Sequence, residues 1–156
     1  MDMPWAETQI DPLTIWYADV FFIKRERYIA LTNPLTKFTF FIFNYSKKSH
    51  PDFMNTIRER LGDTLKSIGI DPSKYLLQCD VLVPFEKVNR SASAHLSRIK
   101  SDYEYMIKCR HHNVYPPDDE KFYNNLVANE VVTYNTKDFD FPKNRFSNEL
   151  LLRRWI

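Results

Sequence analysis

Residues 16–43 read WYADVFFIKRERYIALTNPLTKFTFFIF, and this stretch decides the fold. Aromatic and β-branched residues, which favour strands, fill positions 16–23, 28–32 and 37–43. A charged tetrapeptide separates the first two runs. Asn33-Pro34 separates the second from the third, because Asn bonds to its own backbone in turns and Pro presets φ. The pattern predicts an antiparallel meander of three strands.

Two amphipathic helices are predicted to pack on this sheet. The first has Pro51 at its first helical position and Gly69 at its left-handed end. Its apolar residues recur at helical spacing and are Phe53, Ile57, Leu61, Leu65 and Ile68. The second helix is predicted to begin with Ser91 as its N-cap and to run to about Lys108. Its apolar stripe is Ala92, Leu96, Ile99, Tyr103 and Met106, which leaves His95 and Arg98 on other faces.

The remaining segments complete a single predicted α+β domain. Residues 1–13 are expected to form an irregular arm, residues 14–108 an α+β core, and residues 109–156 a C-terminal extension. Within the core, residues 81–85 look extended. Within the extension we expect a helix started by 118–120, an irregular stretch over 134–141 and a last helix over 147–155. The extension is therefore mostly helical and irregular.

Composition excludes several classes of function. The 156 residues carry 22 Lys and Arg against 20 Asp and Glu, so no global field marks a nucleic-acid coat protein. Only two glycines occur, which excludes phosphate-cradling and dinucleotide-binding loops. No apolar run reaches the roughly 20 residues of a membrane span. With two cysteines and no signal-peptide pattern at the first residues, we expect a cytoplasmic protein that contacts no membrane.

Asn89-Arg90-Ser91 is the strongest candidate site in the sequence. Free backbone amides at a helix start, beside a guanidinium, favour a phosphate or a carboxylate. The alternative is that Asn89 and Ser91 are ordinary capping residues and that Arg90 pairs locally. Asp19, inside an apolar strand, either faces outward or pairs with Arg90.

Catalysis and metal binding have weaker support. Ser91 and His95 are four residues apart, so a hydroxyl and a base could share one helix face, with Arg90 holding a phosphate. No third, orienting group is evident. The potential zinc ligands Cys79, Cys109, His111 and His112 lack paired spacing, so no metal or cofactor is expected.

A basic surface is the remaining candidate. Lys24, Arg25 and Arg27 lie at the predicted hairpin tip, and tyrosines such as Tyr17 and Tyr28 could stack on bases. A second basic segment could meet the same nucleic-acid backbone if it folds beside the tip, and its cations are Arg90, Arg98, Lys100, Lys108 and Arg110. The alternative is that the cations are a solvated hairpin end and the aromatic rings fill the core.

Two motifs occur in fixed order along the chain. The first is a Trp-(His or Tyr)-Ala strand, a basic turn and a Thr-Asn turn, here Trp16-Tyr17-Ala18, residues 24–27 and Thr32-Asn33. The second is the Asn-Arg-Ser helix start. Together they resemble the motifs of a family of small bacterial proteins of unknown function, and this resemblance covers about residues 14–108 and implies the same architecture. Where the family continues with Gly and then Asn-Asp, this chain has Ala94, Ser97 and Arg98.

We therefore expect a binding or regulatory protein of the cytosol, with mobile-element or phage conflict as its setting. Its expected partner is a protein or a small anionic ligand. The ligand-binding residues would be Trp16, Tyr17, Asp19, Arg25, Asn89, Arg90 and Ser91. The alternative is a metal-independent enzyme acting on nucleic acid or a nucleotide through His95, Arg90 and Ser91.

Overall fold

A three-stranded antiparallel sheet lies at the centre of the fold. The computed structural model describes residues 11–78, 90–110, 119–135 and 138–156. The strands β1 (Tyr17–Ile23), β2 (Glu26–Thr32) and β3 (Thr39–Ile42) are adjacent in chain order. Ile23 pairs with Glu26 across the first turn, and Thr32 pairs with Thr39 across the second. The predicted meander is confirmed.

Five α-helices and a second hairpin surround this sheet in the described ranges, and a short 3-10 helix (Pro12–Thr14) precedes β1. The helices are α1 (Phe53–Ser67), α2 (Ser73–Gln78), α3 (Arg90–Arg110), α4 (Asp119–Ala128) and α5 (Pro142–Leu152). The strands β4 (Val132–Asn135) and β5 (Asp138–Asp140) pair antiparallel. None of the helices described is both long and apolar enough to cross a bilayer. The α+β class with a helical C-terminal region is confirmed.

The central strand β2 is buried on both faces. Because successive side chains of a strand point to opposite faces, Ile29 and Leu31 join one apolar cluster and Tyr28 and Ala30 join another. The first cluster also takes residues of α1, α2 and α5, and the second takes residues of α3 and α4. The architecture is therefore a sheet between two helical layers.

Helix α1 is delimited by its caps. The Asp52 carboxylate accepts a hydrogen bond from the Asn55 N–H at 3.1 Å, so the helix begins at Phe53 and Pro51 precedes the cap. Gly69 ends it with φ of 86°, and the Ile70 N–H donates to the Leu65 carbonyl at 2.9 Å. The sequence therefore predicts the helix end correctly and places its start slightly too early.

The outer edge of β3 is bonded by side chains of α4. The Phe41 N–H donates to the Asn124 carboxamide oxygen at 2.5 Å, and the Phe43 N–H donates to Glu120 at 2.9 Å. Arg60 lies 2.8 Å from the other Glu120 oxygen. Burial raises the pKa of Glu120 against the effect of these partners. Helix α4 thus replaces a fourth strand.

Three expectations for the chain after residue 89 are wrong. The stretch 134–141 is not irregular, since most of it forms the β4–β5 hairpin. The last helix begins at Pro142 because proline fits a first helical position, and not at 147. Ser91 lies inside α3, which begins one residue earlier and therefore does not use Ser91 as its cap. Residues 81–85 lie outside the described ranges.

The C-terminal segment is tied to the first described residues. Arg153 contacts the Asp11 carboxylate through Nε at 2.6 Å and through Nη2 at 2.8 Å. Burial opposes ionisation of Asp11, but the bonds to Arg153 hold its pKa below the usual value. Phe146 and Leu150 of α5 lie in the core beside Trp16.

Candidate anion-binding site

A buried asparagine shapes the turn that leads into the site. The Asn33 Oδ1 accepts hydrogen bonds from the Thr36 N–H and hydroxyl, both at 2.9 Å. Its Nδ2 lies 3.0, 3.1 and 3.0 Å from the carbonyl oxygens of Pro12, Leu13 and Ile15. This side chain therefore fixes both the β2–β3 turn and the segment that precedes β1.

Lys37 directly follows this turn and has a left-handed backbone conformation. Its φ is 60°, and its N–H donates to the Asn33 carbonyl at 2.7 Å. The Nζ donates to the Thr133 carbonyl at 3.2 Å and lies 5.6 Å from the centre of the Tyr134 ring. The Tyr134 hydroxyl also donates to the Thr36 carbonyl. Lys37 is thus held between the turn and the β4–β5 hairpin.

His95 lies in the core beneath Lys37, which corrects its predicted place on another helix face. Its side chain is buried, and its Nε2 lies 3.1 Å from the Thr39 hydroxyl. That hydroxyl also bonds to the Lys37 carbonyl at 3.0 Å, so Thr39 links the ring to the Lys37 backbone. Burial, and then the charges of Arg98 and Lys37, lower the pKa of His95 from 6.5 to about 4. The ring is neutral at pH 7.

Arg98 supplies the second cation one helical turn after Ala94. Its guanidinium lies 3.4 Å from Asp102 and 3.9 Å from Glu130. Glu130 also accepts a hydrogen bond from Tyr103 at 2.6 Å, and burial followed by this bond raises the pKa of Tyr103. The two carboxylates orient Arg98 through long contacts. Because an exposed ion pair of this kind is weak, a ligand anion can compete with them for the guanidinium.

Lys37, His95 and Arg98 line a cleft between α3 and the β4–β5 hairpin. The cleft has a volume of about 400 Å³, within the range of small-molecule sites. Its polar lining is Lys37, His95, Arg98 and Thr133, and its other lining residues are Ala94, Val131 and Val132. Burial lowers the pKa of Lys37, and the positive charge of Arg98 lowers it further, so the two cations lie close enough to repel each other. We call this the Lys37–Arg98 cleft.

Two of the predicted ligand-binding residues pack in the interior. Trp16 is 1% exposed, and its indole N–H donates to the Tyr75 hydroxyl at 3.0 Å. That hydroxyl donates to the Leu13 carbonyl at 2.6 Å. Tyr17 is buried in the other apolar cluster. The Trp16 and Tyr17 side chains therefore lie on opposite sides of the sheet.

The other predicted site residues are not gathered with them. Asp19 is half-exposed, accepts the Val20 N–H at 2.9 Å, and lies 4.0 Å from Lys100. Arg25 lies at the β1–β2 turn. The structure thus separates Trp16, Asp19 and Arg25.

The Asn-Arg-Ser motif is only partly described. Asn89 lies outside the described ranges, and Arg90 and Ser91 open α3 without described side chains. Side chains of the predicted zinc candidates Cys79, Cys109, His111 and His112 are not among those described either. Among the side chains that are, no group of three metal-ligating residues occurs.

Sequence patterns did not indicate a role for Lys37, and they indicated Arg98 only as part of a basic segment. A signal for Lys37 exists, since it follows the Asn33-Pro34 turn at the point where a strand resumes. The signal for Arg98 is its position three residues after His95, which places the two on adjacent parts of one face. Neither signal predicts that β4 closes the cleft.

A family model described as "Domain of unknown function (DUF6933)" matches residues 2–145, which is most of the chain. No curated protein matches the chain.

Proposed function

The chain belongs to the DUF6933 family, a domain of unknown function, and we propose that it is a binding protein for a small anionic ligand. The ligand occupies the Lys37–Arg98 cleft. The placement of two cations above one cavity carries this proposal. An anion between Lys37 and Arg98 would relieve their mutual repulsion and accept hydrogen bonds from both.

The surroundings of Lys37 support an anion in particular. Its Nζ bonds to a neutral carbonyl, and in the described part of the chain no carboxylate pairs with it. Val131 and Val132 give the cleft an apolar side. A phosphate or carboxylate attached to a small apolar group matches this lining.

The state of His95 favours binding over catalysis. At 6% exposure the ring presents little surface to a ligand, and near neutral pH it holds no extra proton to donate. Its bond to Thr39 places it as a support for the Lys37 turn. The cytosolic location and the mobile-element setting stay predictions from the sequence.

Thermal unfolding with added anions tests the proposal. The probes are inorganic phosphate, acetate and adenosine monophosphate at constant ionic strength. We expect at least one to raise the Tm of the wild type, because a ligand that binds only the folded state stabilises it, by about 2.7 kcal/mol at 100 times its Kd. The shift should disappear in Lys37→Asn, a residue that tolerates positive φ, and in Arg98→Gln.

The matched control is Lys66→Asn, an exposed residue of α1 with the same loss of charge. Equal responses of Lys37→Asn and the control, or no response to any probe, would contradict the proposal. Turnover of the nucleotide that disappears in His95→Gln would instead support the enzyme alternative.

A further inference from the structure

The β1–β2 turn has an unusual sequence for its geometry. Lys24 and Arg25 form a two-residue loop between Ile23 and Glu26, with φ of 49° and 73°. Two consecutive positive φ angles in such a loop define a type I′ turn, which strongly prefers Asn-Gly. Both residues carry a Cβ that disfavours this conformation. Backbone strain of this kind clusters at functional sites, and here it falls on two cationic side chains.

A cleft opens beside this turn. Its volume is about 620 Å³, and its lining includes Arg25, Arg27 and Lys47. Within the described ranges none of these cations forms an ion pair. The Glu26 carboxylate, also in the lining, already accepts the Tyr28 hydroxyl at 2.8 Å. The cleft, which we call the hairpin-tip cleft, is therefore positively charged.

Two aromatic rings lie beside the Arg27 guanidinium. Phe22 is 55% exposed, and the Arg27 guanidinium carbon lies 5.5 Å from its centre. The same carbon lies 6.0 Å from the centre of the Tyr45 ring, which stacks on His50 at 5.4 Å. The Tyr45 N–H donates to the Arg27 carbonyl at 2.9 Å, so the backbone holds Tyr45 beside β2.

We propose that the hairpin-tip cleft binds single-stranded nucleic acid. The cations Arg25, Arg27 and Lys47 would take successive phosphates, and the exposed Phe22 ring would stack on a base. An acidic peptide would need the cations but not the exposed ring, so the ring favours a nucleic acid. This inference is independent of the Lys37–Arg98 cleft, because no residue lines both.

Fluorescence anisotropy with labelled oligo-uridine and oligo-thymidine of roughly 12 nucleotides tests it. We expect the logarithm of the affinity to fall with the logarithm of the salt concentration at a slope of about −2, the value for three phosphate contacts to a single strand. The double variant Lys24→Asn with Arg25→Gly should bind about tenfold more weakly. Its Tm should be unchanged or higher, because Asn-Gly is the preferred sequence for this turn.

The charge-matched control is the double variant Lys66→Asn with Lys74→Asn, two exposed lysines outside the cleft. It should retain the wild-type affinity. Equal losses of affinity in the two double variants would overturn the proposal, because they would show a non-specific attraction between charges. The absence of binding by the wild type would overturn it as well.

Phe22→Thr separates stacking from charge. Threonine also favours strands, so the hairpin should persist, and we expect about a tenfold loss of affinity with an unchanged salt slope. If polyglutamate binds as tightly as the oligonucleotides and Phe22→Thr changes neither affinity, the partner is an acidic protein and the nucleic-acid proposal is wrong.

Discussion

Asn124 makes the two hydrogen bonds to Phe41 that a neighbouring strand would make. Its Oδ1 accepts the Phe41 N–H at 2.5 Å, and its Nδ2 donates to the Phe41 carbonyl at 3.2 Å. Glu120, one helical turn before Asn124, accepts the next N–H along that outer edge, from Phe43. An uncovered edge strand pairs readily with other chains, so this helix protects β3 against association.

Asn124→Leu should destabilise the protein by about 2 kcal/mol, because a buried N–H and a buried carbonyl lose their partners. Urea unfolding measures the change. Asn125→Ala, at an exposed position on the same helix, is the control and should have a much smaller effect. Size-exclusion chromatography at rising concentration should also show new association in Asn124→Leu. Equal stability losses in the two variants would show that the edge bonds contribute nothing.

Asn33→Asp should lower the free energy of unfolding more than Asn124→Leu does, by about 3 kcal/mol or more. The reason is that a buried carboxylate would face three carbonyl oxygens. Asn55→Asp makes the same chemical change on the exposed side of the first turn of α1, where a negative charge is tolerated. Chemical unfolding of both proteins provides the comparison. A mild loss in Asn33→Asp would mean that the turn survives without the amide donor.

His95 should make the stability depend on pH. Its pKa is 6.5 in the unfolded chain and about 4 in the fold, so between these values the unfolded state binds more protons. Stability should therefore be complete above 6.5 and fall as the pH decreases toward 4, by up to about 3 kcal/mol. Unfolding free energies measured across this range should show a weaker pH dependence in His95→Gln. Identical profiles would refute the neutral, buried histidine.

The meander was predictable because its signals are local. Aromatic and β-branched runs mark the strands, and Asn33-Pro34 marks a turn within a few residues of sequence. The β4–β5 hairpin gave no such signal, since its strands are short and carry polar residues. Its stability depends on contacts from elsewhere, such as Arg145, which bonds to Asp140 at 3.0 Å and lies over the Tyr134 ring at 4.2 Å.

The candidate site was harder to predict from the sequence than the fold was. His95 is four residues before Ile99 and therefore lies on the buried side of α3, but its polarity argued for exposure. Its partner Thr39 is 56 residues away. The Arg98 environment depends on Glu130, which lies 32 residues later, just after the end of α4. Such pairings across the fold leave no local pattern, so sequence reasoning identified the helix but not the cleft.

The contact between Arg153 and Asp11 has a kinetic consequence. The two residues are 142 positions apart, so closing this loop is entropically unfavourable until most of the fold exists. We expect the bond to be absent from the transition state for folding. Arg153→Gln should then accelerate unfolding and leave the folding rate nearly unchanged, as measured by stopped-flow mixing, while Arg154→Gln at an exposed position should alter neither. The ion pair would thus lengthen the lifetime of the native state without changing how fast that state forms. Slower folding of Arg153→Gln would instead show that the segments of Asp11 and Arg153 meet early in folding.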